Sequence, residues 1–134
     1  MKRVVVDANV AFRALASSRG DIRGRLDALD GVQFITPRFL FVELFKHKDR
    51  IVRASKKSED DVLESLHTLV AAMEFVDESA IPIGTWLEAR RLCAPTDPKD
   101  TPYVALALYA DAELWTEDEE LKQGLRARGF TRFF

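Results

Sequence analysis

Apolar positions along this chain come in blocks whose lengths and periods differ. Val4-Val5-Val6 is a short β-branched run with no polar position inside it, the pattern of a strand buried on both faces of a parallel sheet. Asp7-Ala8-Asn9 then opens a helix expected over about residues 10–17. Ser17-Ser18-Arg19-Gly20 breaks it, and Ile22, Leu26 and Leu29, spaced by four and three, mark a second helical face ending at Gly31. Residues 32–35 form the second expected strand. Thr36-Pro37 reads as an N-cap followed by proline at the first helical position, which predicts one helix from Arg38 to about Arg53 with an almost wholly apolar first half.

After the polar break Lys56-Lys57-Ser58, the positions Val62, Leu63, Leu66, Leu69, Val70 and Met73 trace an amphipathic helix. Residues 74–76 are the third expected strand. Ile81-Pro82-Ile83-Gly84 turns into a helix carrying Trp86, Leu87 and Leu92, and Ala94-Pro95-Thr96-Asp97-Pro98 is a loop dense in turn formers. Residues 103–110 are apolar on every side, as in a helix sandwiched between a sheet and another layer. Leu114-Trp115 gives a fourth strand, residues 119–127 a last helix and residues 130–134 a terminal strand. Strands alternating with helices predict an α/β fold of three α/β/α layers, with a central, mostly parallel sheet of about five strands and right-handed crossovers.

Composition narrows the picture. At 134 residues the chain suits a single domain over 1–134, and 47% hydrophobic with 31% charged residues is ordinary for a soluble globular protein. A lone cysteine, Cys93, allows no internal disulfide and no cysteine-based zinc cluster, which makes the cytoplasm the expected compartment. The N-terminal apolar run is too short for a signal peptide or a membrane span, so no membrane association is expected. A formal net charge of −2 argues against holding nucleic acid by bulk positive charge.

Candidate chemistry lies in the acids. Ligands of open parallel sheets bind beyond the carboxyl ends of the strands, where Asp7 and Thr116-Glu117-Asp118 are expected. Asp7 also reads as a simple helix cap. Glu43 interrupts Phe39-Leu40-Phe41-Val42 and Leu44-Phe45 in a segment that otherwise looks buried; a buried carboxylate must be paired, protonated or bound to metal. Pairing with Lys46 or His47 on an exposed stripe is the alternative. Asp97 and Asp100 flank Pro98-Lys99 just before the apolar helix, where either can cap, although Thr101-Pro102 can supply the cap instead. Thr116 with Glu119 matches a capping box that leaves Asp118 unneeded there. Acids from four places on one sheet edge repel without cations, and ligands that are all oxygen suit Mg²⁺ or Mn²⁺. Phosphodiester hydrolysis is the chemistry such clusters usually serve. The basic residues Lys46, His47, Lys48, Arg50, Arg53, Lys56 and Lys57 read either as an RNA-backbone track or as a solvated helix face.

These residues resemble one family. Val4-Val5-Val6-Asp7-Ala8-Asn9-Val10 is similar to the opening strand and first acid of PIN domains, and Phe41-Val42-Glu43-Leu44 to their second-acid helix. The stretch from Asp97 to Ala107 resembles the third-acid segment, and Leu114-Trp115-Thr116-Glu117-Asp118 the fourth. The motifs stand in family order over nearly the whole chain. The resemblance implies a PIN-like domain in which Asp7, Glu43, Asp100 and Asp118 bind Mg²⁺ or Mn²⁺ with Asp97 as accessory, and Asn9 and Thr116 orient the first and fourth acids.

It further implies an endoribonuclease hydrolysing single-stranded RNA, similar to the VapC toxins of toxin–antitoxin pairs, with a VapB-type antitoxin and a homodimer among the expected partners. The family's common Gly-x-x-Leu ahead of the third acid is absent, and Arg91-Leu92-Cys93-Ala94 stands near there. Two other classes compete. One is a non-catalytic PIN-like module binding RNA or protein; the other is a receiver-like phosphoacceptor, against which stands Ala8 where paired acids are wanted.

Overall fold

The computed structural model describes residues 2–17 and 31–134, so the expected helical face of Ile22, Leu26 and Leu29 lies outside the described residues. Strand β1 (Lys2–Val6) leads through Asp7 into α1 (Ala8–Ala16). Next come β2 (Val32–Pro37), α2 (Phe39–Lys46), α3 (Lys48–Ser55), α4 (Glu59–Ala71) and β3 (Glu74–Val76). A 3₁₀ turn (Glu78–Ala80) precedes α5 (Ile83–Cys93), a second one (Pro98–Asp100) precedes α6 (Thr101–Ala110), and β4 (Glu113–Trp115) and α7 (Glu119–Ala127) follow.

The four strands are all parallel in the order β3-β2-β1-β4. Val4, Val5 and Val6 are fully buried, because β1 is central and covered on both faces. The pleat divides them. Val5, with Ile35 and Leu114, packs against α5, α6 and α7, whereas Val4 and Val6, with Phe34 and Trp115, pack against α1 through α4. These two apolar layers on one sheet are the predicted α/β/α sandwich. On α6, Tyr103 through Ala107 are all buried, as the absence of a polar face required.

Three expectations change. The terminal segment adds no fifth strand: Phe133 makes one isolated parallel bridge to Leu114, and the rings of Phe130, Phe133 and Phe134 pack on this chain's own side chains. Phe130 closes the core layer under α7, and Phe134 rests on Phe34 and Trp115. Thr36-Pro37 ends β2 and does not start a helix, because the buried Thr36 hydroxyl donates to the Val6 carbonyl across the sheet (3.0 Å). Glu78 caps α2 instead, accepting from the amides of Arg38 and Phe39 (3.1 and 2.8 Å). Lastly, the expected helix over 38–53 is two helices that break at His47 (φ −109°, ψ 17°).

Candidate acidic site

Strand order puts β1 beside β4, so their carboxyl ends form one rim, tied by the Asp7 amide donating to the Trp115 carbonyl (3.0 Å). Asp7 is 2% exposed there. One carboxylate oxygen accepts from the Ala8 amide (2.7 Å), and the other from the Thr116 hydroxyl (2.7 Å) and the Asn9 side-chain amide (3.2 Å). The Thr116 hydroxyl spends its single proton on Asp7 and accepts from Asn9 (3.1 Å) and from the Asp118 amide (3.2 Å). Asn9 Oδ1 accepts from the Glu117 amide (3.2 Å), which fixes the orientation of its side chain. Asn9 and Thr116 thereby tie the Asp7 carboxylate to the segment carrying Asp118.

Asp118 differs from its sequence expectation. It is the N-cap of α7, accepting from the Leu121 amide (3.0 Å), a task the Thr116–Glu119 pattern had assigned elsewhere. Asp97 caps the second 3₁₀ turn through the Lys99 amide (3.0 Å). Asp100 stands at the start of α6 but caps nothing; the Thr101 hydroxyl turns back to the Pro98 carbonyl. Glu43 is not set in a buried stretch as expected, since Phe41, Val42 and Phe45 around it are exposed; its own side chain is only 15% exposed. His47 Nε2 stands 3.9 Å from its carboxylate, and the His47 ring meets Phe12 edge-on.

Electrostatics reveal the convergence. Burial pushes the Asp100 carboxyl up to about 8, reinforced by the charges of Asp7, Asp97, Asp118 and Glu43. Every other candidate acid therefore acts on Asp100. Asp7 rises to about 6, mainly through burial; hydrogen bonds from Thr116 and Ala8 oppose the rise, and Asp118 and Glu43 add to it. Cys93 beneath is no nucleophile, because burial and Asp100 push its thiol up to about 12.

Among the described residues, no three His, Cys, Asp or Glu side chains are drawn together closely enough to hold a metal ion as they stand. The donor set nonetheless fits a hard cation: oxygen only, crowded, and partly dry. Two further residues went unnoticed in the sequence. Glu78 is one, placed by its cap on α2. The other is Tyr103, whose buried hydroxyl in an otherwise apolar helix was itself a signal, since such groups ordinarily have a partner. The basic residues Lys46, Lys48, Arg50 and Arg53 are all exposed; Lys48 lies over the Phe45 ring and Arg50 over Phe12.

No curated protein matches this chain in sequence. Among solved structures it is similar to a chain of VapBC2 from Rickettsia felis bound to a DNA fragment from their promoter, with a TM-score of 0.70 and 16% identity over 90% of this chain and 92% of that one. It is also similar to PAE2754 from Pyrobaculum aerophilum, with a TM-score of 0.63 and 16% identity over 92% of this chain and 79% of that one. Those likenesses establish a shared fold. No described helix is long and apolar enough to cross a membrane. The PIN domain family matches residues 5–132, nearly the whole chain, and the chain belongs to that family.

Proposed function

We propose that this chain is a divalent-cation-dependent endoribonuclease that hydrolyses single-stranded RNA, with Asp7, Glu43, Asp100 and Asp118 as ligands and Asp97 as accessory. One observation carries the reading: four acids from three other parts of the chain and its own loop all bear on Asp100. Such crowding is unfavourable in a bare protein and favourable around a cation. Bound Mg²⁺ or Mn²⁺ would supply an activated water and neutralise the charge developing on the leaving oxygen. The chain's own contribution is orientation. Asn9 and Thr116 hold Asp7, the α7 cap holds Asp118, and Asp100, free of any cap, turns to the ligand. Exposed Lys46, Lys48, Arg50 and Arg53 supply charge for a phosphate backbone.

The fold shared with a VapBC2 complex supports an antitoxin-type protein partner, and a surface feature agrees. Phe41, Phe45 and Leu63, at 43, 72 and 52% exposure, line an apolar groove with Leu15, Val52 and Leu66. A non-catalytic binding module is the rival reading, favoured by the capping duties of Asp7 and Asp118. Cleavage of an RNA oligonucleotide separates the two. Wild type with Mg²⁺ or Mn²⁺ should cut and leave a 5′-phosphate and a 3′-hydroxyl, even beside a 2′-deoxy sugar, and Asp100→Asn should lose most activity. Full cutting in EDTA, or a 2′,3′-cyclic phosphate end, overturns the assignment.

A further inference from the structure

Tyr103 is 1% exposed and its hydroxyl has no hydrogen-bond partner among the described residues. Native proteins leave few such groups, since an unpaired buried hydroxyl carries its full desolvation cost. The residue lies on α6 three positions after Asp100, and its ring meets Phe39 of α2 edge-on (6.4 Å between centroids). This spot lies between the helix of the second acid and the start of the third-acid helix. Burial, then the charges of Asp7, Glu43, Asp100 and Glu78 in that order, push the phenol's pKa up, so its oxygen carries a proton to give.

Three of the four acids can be weighed by their existing bonds. Asp7 already accepts three hydrogen bonds, and Glu78 holds the amides of Arg38 and Phe39. Glu43 lies one helical turn beyond Phe39 on α2, the residue whose ring meets Tyr103, and His47 Nε2 stands beyond hydrogen-bond range of it at 3.9 Å. Its side chain has three rotatable bonds with which to turn.

We propose that Tyr103 is a positioning residue of the acidic site, its hydroxyl donating to the Glu43 carboxylate when a divalent cation gathers the acids. The donor then finds its missing partner, and Glu43 is held in one orientation from the floor of the site. This inference rests on the cation-site reading above.

Calorimetric titration of wild type and Tyr103→Phe with Mn²⁺ alone, beside melting of the cation-free proteins, tests it without any turnover. The variant should bind Mn²⁺ about tenfold more weakly, the worth of one hydrogen bond to a charged group. Its cation-free melting temperature should not fall, because the hydroxyl has no bond to lose there. Equal Mn²⁺ affinities overturn the inference alone. A lowered cation-free melting temperature overturns it too, by showing a structural partner. A wild type that takes up no Mn²⁺ overturns the site reading and this inference together.

Discussion

At the scale of single residues, the chemistry of this protein is a problem of keeping carboxyl groups where water and their own charges resist them. Asp7 and Asp100 have folded-state pKa values of about 6 and about 8 against ordinary values of 3.8. A carboxyl raised in this way binds its proton more tightly in the folded state. Its stabilising contribution is therefore full below the unfolded value and is lost as pH rises through the folded one. The cation-free protein should accordingly melt at a falling temperature between about pH 5 and about pH 8, and Asp100→Asn should flatten that fall and raise the melting temperature at the upper end. Mg²⁺ competes with these protons, so it should stabilise more near pH 8 than near pH 5. A thermal-shift series across pH checks all three; a cation-free melting temperature that climbs over that range would show the acids to be satisfied without a cation.

Elements supply the rigidity that single side chains lack, and the contact between α7 and the third-acid loop is the tightest case. Arg128 donates to the Leu92 carbonyl (2.7 Å) and the Thr96 hydroxyl (2.8 Å), clamping the loop that leads to Asp97 and Asp100. The clamp needs Gly124, where an added Cβ would collide with Thr96 Oγ1 and come within 2.8 Å of Arg128 Nη2. Glycine is usually a weakness within a helix; here it permits the approach. Gly124→Val should destabilise the protein by about 1–3 kcal/mol, the usual range for overpacking, as read by denaturant unfolding. No loss of stability would mean that the loop yields freely and is not held by α7. The α2–α3 break belongs to the same scale. Periodicity alone ran straight through His47, because an amphipathic pattern does not register a change of helix axis.

For the whole molecule, the notable feature is apolar surface left uncovered on the α2–α4 side. Phe45 and Leu63 line its groove without being needed by the core. Exposed patches of this kind mark association sites. Sedimentation velocity should show concentration-dependent association of the isolated chain, and replacing Phe45 and Leu63 together by serine should diminish it. Each exposed substitution should change stability by no more than about 0.5 kcal/mol. Unchanged sedimentation would remove the groove from consideration as a contact between copies of this chain.

What the sequence determined by itself was whatever depends on local period and order. The β-branched run at Val4–Val6, the all-apolar helix from Tyr103 and the four acidic motifs in succession led to a parallel α/β sandwich of the PIN type, now supported by the fold and the family match. Residues 119–127 matched α7 at both ends because a strong amphipathic period and polar flanks agree there. Tertiary structure decided the rest, since caps and partners are choices among spatial neighbours. Glu78, forty residues from Arg38, took the cap that Thr36 was expected to provide, and Thr36 went to the sheet. The terminal aromatics found packing within the chain in place of a fifth ladder, and Asp118 took the cap that Thr116 gave up to hold Asp7. Strand order in turn sets β1 beside β4 and brings Asp7 and Asp118, more than a hundred positions apart, to one rim.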